Sequence, residues 1–154
     1  MATQPALSLR QAGQEWLLSC AEHPALTQKA WDADDLVPFP TGPHWRVAEA
    51  PLAESMDAVK RIGHHRVGPV LADVTQSTAW WLLPPDLGDE LDDVRQLTVH
   101  PSGWALRCPP ALFPVRGRVW MERPDGSGRL TDPTLLGAAF GPGGGFRPYA
   151  EAFG

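Results

Sequence analysis

A chain of 154 residues, 43% apolar and 20% charged, has the make-up of one globular domain, long enough to bury roughly 70% of its unfolded surface. Its net charge is −5, and Lys29 and Lys60 are its only lysines beside dispersed arginines. Counterion-release binding to duplex nucleic acid needs clustered cations, so a nucleic-acid partner is not expected without a local basic patch of arginines. No run approaches the roughly 18–20 apolar residues that cross a bilayer, and MATQPALSLRQAG lacks a secretory pattern, so a cytoplasmic protein is expected.

In chain order, residues 1–7 read as a frayed N-terminus. Ser8 is expected to cap a first helix, with Leu9, Ala12, Trp16, Leu17 and Cys20 on one stripe of a 3.6-residue period and Pro24 as its stop. Thr27–Trp31 adds a single turn. Asp32, Asp34 and Asp35 form a solvated acidic loop, and Leu36–Pro40 a proline-flanked connector. His44–Glu49 alternates as a strand, with Trp45 and Val47 on one face. Pro51 opens a second helix whose core face is Leu52, Met56 and Val59. Gly63 stops it, and His64-His65-Arg66 suits the negative end of the helix dipole. Gly68–Pro85 holds two short apolar runs, Val70–Val74 and Thr78–Leu83, around the turn Thr75-Gln76-Ser77, which predicts a core hairpin.

Asp86–Asp93 is an acidic loop or short helix. Arg95–Val99 and Trp104–Cys108 read as a strand and its return, joined at His100-Pro101-Ser102-Gly103. Arg118–Glu122 is a further strand, and Asp132-Pro133 begins a final helix over 134–140. The tail GPGGGFRPYAEAFG is read as flexible, with Phe146, Tyr149 and Phe153 spaced as partner-binding anchors. Residues 8–140 are then one domain of α+β class. It has a mainly antiparallel sheet of about five to seven strands with two principal helices packed on one face. Seven Trp against five Phe and one Tyr imply a core of large plates. Cys20 and Cys108 are read as reduced, buried thiols.

No complete catalytic motif is present. Ser102 lies at a turn tip without a nucleophile elbow, and Gly141–Gly145 has no following Lys or helix for a phosphate loop. Neither a zinc spacing nor a dinucleotide-binding glycine pattern occurs.

The order of features nevertheless resembles a family. A Trp-rich first helix, Leu36-Val37-Pro38, a strand ending at Ala50-Pro51, GPVLAD with WWLLPP, a strand pair ending in CPP, and VWMERP with LTDP together resemble a group of small proteins. These are truncated relatives of the bifunctional DNA primase/polymerase N-terminal (prim-pol) domain of high-GC bacteria. A GC-rich genome also fits a chain rich in Ala, Gly, Pro, Asp and Arg with no Asn. The resemblance implies a metal-binding strand with two acidic residues one apart. Here Asp73 stands alone, with Thr75 where the second acid belongs, and Leu106 occupies the place of a phosphate-contacting His. Two-metal chemistry needs several carboxylates, so no cofactor is expected. The resemblance then implies a non-catalytic binding or regulatory module acting on a protein partner or on a second copy of itself. The alternative is a divergent nucleotidyltransferase using Mg or Mn with a nucleoside triphosphate. It would place Asp73 at the metal, with Asp92 or Asp93 and Glu122 as remote acids. A nucleotide-sensing pocket would use Arg107, Arg116 and Arg118 as phosphate contacts.

Overall fold

The structure, a computed structural model, describes residues 5–140. The 141–154 tail, with Phe146, Tyr149 and Phe153, lies outside the described residues, as do residues 1–4. Helix α1 (Pro5–Ser19) is followed by α2 (Pro24–Asp32), β1 (Val37–Pro40), β2 (Arg46–Pro51), α3 (Leu52–Ile62), β3 (Val70–Asp73) and β4 (Thr78–Leu83). Then come β5 (Thr98–Val99), β6 (Ala105–Cys108), β7 (Arg118–Glu122) and α4 (Pro133–Phe140).

The main sheet has five strands in the order β5-β2-β4-β3-β7, every neighbouring pair antiparallel. The expected hairpin is its centre: β3 and β4 pair Val70 with Trp81 and Asp73 with Thr78. Strands β2 and β3 run parallel on either side of β4, joined by α3, so the crossover unit straddles the hairpin's second strand. Apolar residues at successive positions of β4 face opposite ways. Trp81 and Leu83 join Ala58, Val59, Leu136 and Phe140 on one side, while Trp80 and Leu82 join Leu17, Trp31, Phe39 and Trp120 on the other. Each side buries its own apolar core, which explains the near-continuous hydrophobicity of TAWWLL.

The α+β class and the antiparallel sheet are as expected, but the helices divide between both faces. Helices α3 and α4 cover one side, and α1 and α2, with a small second sheet, cover the other. In α3 the inner stripe is Ser55, Ala58, Val59 and Ile62. Met56, expected inside, is exposed because the stripe is rotated by one residue. Trp81 explains the rotation, since its indole N–H donates to Ser55 Oγ at 3.0 Å. Helix α1 starts upstream of Ser8 and stops at Ser19. Pro24 does not end that helix; it opens α2, a position where its missing N–H is harmless.

Two strand assignments are corrected. The connector Val37–Pro40 is a strand, paired in a two-stranded sheet with β6. The expected hairpin between Arg95–Val99 and Trp104–Cys108 does not form, because β5 joins β2 while β6 leaves for β1. The turn between them still closes, with Trp104 N donating to Pro101 O at 3.1 Å, and it is tied to the segment after β1 by Gly103 N donating to Thr41 O at 2.7 Å and Thr41 N to Trp104 O at 2.8 Å. It is thus a junction between sheets. Trp31, Trp45, Trp80, Trp81 and Trp120 are buried, Trp16 and Trp104 partly so, and Cys20 and Cys108 are free and buried.

Candidate functional site

Asp73 ends β3 on the face turned towards the small sheet, directly opposite Arg118 of β7. Its Oδ2 accepts from Arg118 Nε at 3.1 Å, and its Oδ1 accepts from Thr75 Oγ1 at 2.8 Å and from the Gln76 backbone N at 3.0 Å. Both side chains are nearly covered, Asp73 at 7% and Arg118 at 14% exposure. Burial pushes the Asp73 carboxyl up, but the bonds from Thr75, Gln76 and Arg118 outweigh it and hold the group below the ordinary aspartate value. A guanidinium therefore stands where the resemblance places a metal, and Thr75 hydrogen-bonds Asp73 from the position of the second acid.

Arg118 does more than neutralise Asp73. Its NH1 donates to Arg107 O at 2.7 Å, tying β7 to the small sheet, and its guanidinium lies 4.4 Å from the centre of the Trp80 ring. The Trp80 indole N–H donates to Glu49 Oε1 at 3.0 Å, and the same oxygen meets His100 Nε2 at 2.8 Å. His100 stacks flat on Trp104, centroids 3.7 Å apart at 4°. A polar seam thus crosses the face in the order Asp73, Arg118, Trp80, Glu49, His100, Trp104. Neither Glu49 nor the paired use of His100 was read from the sequence. The one available signal was Glu49's place on the same side of β2 as Val47, a charge on an otherwise apolar face.

The remaining expected site residues are dispersed. Glu122 lies opposite Val70, at the far end of β3 from Asp73, and its Oε2 meets His64 Nδ1 at 2.8 Å. Asp92 and Asp93 are exposed in the β4–β5 segment, which packs through Leu91 and Val94 against Gly137 of α4. That is the side of the sheet opposite Asp73. Among the described residues no three or more His, Cys, Asp or Glu gather in a metal-holding group. The three arginines do not converge either. Arg116 is exposed and pairs with Asp35 at 3.1 Å, Arg107 turns its side chain to solvent, and Arg118 is committed inside. Ser102 is exposed beside Gly42, while the imidazole of His100 is engaged by Glu49.

Chemically, the seam can orient and neutralise, but it offers no activated nucleophile and no oxyanion hole. Compared with family models, with curated proteins and with solved structures, the chain matches none.

Proposed function

We propose that this chain is a non-catalytic binding module, prim-pol-like in scaffold, that engages a protein partner in the bacterial cytoplasm. The observation that carries this reading is the state of Asp73. Each of its oxygens is taken by a donor of the chain itself, and the charge that a divalent cation would neutralise is already neutralised by Arg118. Binding a metal there requires expelling a guanidinium that also holds Arg107 O and covers Trp80, which costs several interactions at once. Support for a protein partner comes from the same end of the sheet. Val74 N donates to Gly117 O at 2.9 Å and draws the β3–β4 turn against the loop before β7. Val74, 61% exposed, is thereby held next to Gly117, the chain neighbour of Arg116, which pairs with Asp35, and Phe113, 42% exposed, stands three residues before Arg116 in the same loop. Apolar groups rimmed by charge are the composition of a protein interface.

The test pairs two measurements. Titration with manganese and a nucleoside triphosphate is expected to give no heat beyond dilution. Saturable binding lost in Asp73→Asn would return the reading to a nucleotidyltransferase. Cross-linking in the host, followed by mass spectrometry, is expected to capture a defined partner whose yield falls in Val74→Asp and Phe113→Asp. Capture that is indifferent to both substitutions removes this surface from the proposal.

A further inference from the structure

The small sheet has two outer edges, and they are built differently. Along β1, Pro38 and Pro40 leave no donor pointing outward. Along β6 the same pairing has the opposite result. Arg107 and Ala105 stand opposite the two prolines, which have no N–H to give, so the ladder to β1 runs through Leu106 and Cys108. Thr41 N, donating to Trp104 O, continues the same alternation. The N–H and C=O groups of Ala105 and Arg107 therefore point away from β1. Arg107 O accepts from Arg118 NH1 at 2.7 Å. The Ala105 N–H, the Ala105 C=O and the Arg107 N–H have no partner among the described residues, and both residues are exposed.

This open edge runs along the polar seam. On the β1 side, Phe39 stacks on Trp45, just before β2, with centroids 6.3 Å apart. On the other side of β6, Trp104 stacks on His100, the partner of Glu49, and Arg118 reaches Arg107 O from β7. A strand added to β6 at the usual spacing of about 4.8 Å would lie over Glu49, Trp80 and Arg118. Two charges there are still free. Glu49 is 38% exposed, and its Oε2 has no partner among the described residues, since Oε1 meets both Trp80 and His100. The exposed Arg107 has no ion-pair partner among the described residues either. Successive residues of an added strand face opposite ways. One directly opposite Arg107 meets its guanidinium on the outer face, and the next faces the seam at Glu49.

We propose that β6 receives an extended segment of the partner protein as a third, antiparallel strand of the small sheet. The segment carries an acidic residue opposite Arg107, followed by a basic residue that reaches Glu49. Main-chain bonds to Ala105 and Arg107 supply the affinity, and the two charge pairs fix the register. Unmet donors and acceptors along a strand are the ordinary template for such addition, and no proline guards this edge as Pro38 and Pro40 guard the other. The proposal rests on the reading of a protein partner and names how that partner is held. The edge and the Val74 surface meet at Arg118, which bonds Arg107 O and whose chain neighbour Gly117 accepts from Val74 N.

The test titrates the full chain with the end-blocked hexapeptide Thr-Val-Glu-Lys-Val-Thr, following backbone amide signals by NMR. Its Glu-Lys-Val core runs opposite Arg107, Leu106 and Ala105 in the antiparallel sense. Saturable binding is expected, with the largest shifts at the Ala105 and Arg107 amides. N-methylation of the Glu and second Val amides removes the donors that face β6 and is expected to weaken binding about tenfold or more. Exchanging Glu and Lys is expected to weaken it several-fold. Arg107→Pro removes the outward donor but spares the ladder to β1, which does not use that N–H. It is expected to abolish binding with little change in thermal unfolding. Arg107→Gln keeps the N–H and is expected to weaken binding only several-fold, so the two variants separate backbone from charge. The proposal is overturned if the hexapeptide does not saturate by about 5 mM, if its N-methylated form binds as tightly, or if the largest shifts lie away from β6 and the seam. In the host, a cross-linked partner whose yield is unchanged by Arg107→Pro keeps the protein-partner reading and overturns the edge. Saturation by the hexapeptide with no partner captured supports the edge and removes that reading.

Discussion

Gly13 stands in the interior of α1, where helix propensity alone favours alanine by about 1 kcal/mol. The added Cβ would collide with the Pro124 carbonyl oxygen, and a backbone oxygen cannot swing aside as a side chain can. Gly13→Ala is therefore expected to lower stability by roughly 1–3 kcal/mol, read as a fall in the midpoint of thermal unfolding. A rise would mean that α1 does not dock on the loop. Asp73 invites a test with a defined sign. Its folded-state pKa is lowered, so its contribution is fully present above the unfolded value of about 3.9 and is lost as pH falls through the folded value. Urea unfolding of the native chain and of Asp73→Asn should differ near pH 7, and the difference should close as pH drops below about 3.9. Arg118→Leu is the harsher change, because it leaves a covered carboxylate without its partner and uncovers Trp80. It should cost roughly 3–5 kcal/mol, and a loss under about 1 kcal/mol would show the pair to be solvated.

The elements legible in the sequence are those whose partners are close in the chain. Strands β3 and β4, the helix after Pro51 and the strand Arg118–Glu122 carry their own periodicity and punctuation, and each lies where the pattern puts it. Strand β1 was invisible because Val-Pro-Phe-Pro lacks the donors of an ordinary strand. Its register gives the reason, with Pro38 and Pro40 opposite Arg107 and Ala105 and with Val37 and Phe39 opposite Cys108 and Leu106. Proline has no N–H to give, so only Val37 and Phe39 can donate to β6, and the prolines fall where the strand's outer edge needs no donor. Such prolines block further strand addition. The double change Pro38→Val, Pro40→Val restores two outward donors and should promote self-association, visible as concentration-dependent light scattering; unchanged scattering would mean that another segment covers this edge. The candidate site was legible to the same limit. Asp73 could be read as a solitary acid, but its counter-charge lies 45 residues on, and Glu49 meets His100 across 51. No local pattern encodes such separations, and the same non-local pairing hid the exchange of β6 from the main sheet to β1.

At the scale of the whole molecule the question is whether the layer of α1, α2, β1 and β6 opens separately from the sheet beneath it. Four hydrogen bonds stitch the segment around β6 to its surroundings. Trp31 Nε1 donates to Cys108 O at 3.0 Å, Trp120 Nε1 to Pro109 O at 3.1 Å, Ala111 N to Gln14 Oε1 at 2.7 Å, and Arg118 NH1 to Arg107 O at 2.7 Å. Two of them come from β7 in the main sheet, so peeling the layer away leaves Trp120, Arg118 and the carbonyls of Pro109 and Arg107 without these partners, while the two from the helices hold the layer itself together. The cores on the two faces also share the backbone of β4, whose alternate residues enter each. One cooperative unit follows from this sharing. Cys20 and Cys108 provide the probe, because both thiols sit in this layer and burial pushes both above the ordinary cysteine range. Only the thiolate attacks an alkylating reagent, so both should stay inert until the layer opens. In increasing urea, labelling of Cys20 and Cys108 should proceed at one common rate and coincide with the loss of far-ultraviolet circular dichroism. Labelling of either thiol at lower urea, with the β-sheet signal intact, would mean that the layer unfolds as a separate unit, and that the stitching through Arg118 and Trp120 is weaker than its geometry indicates.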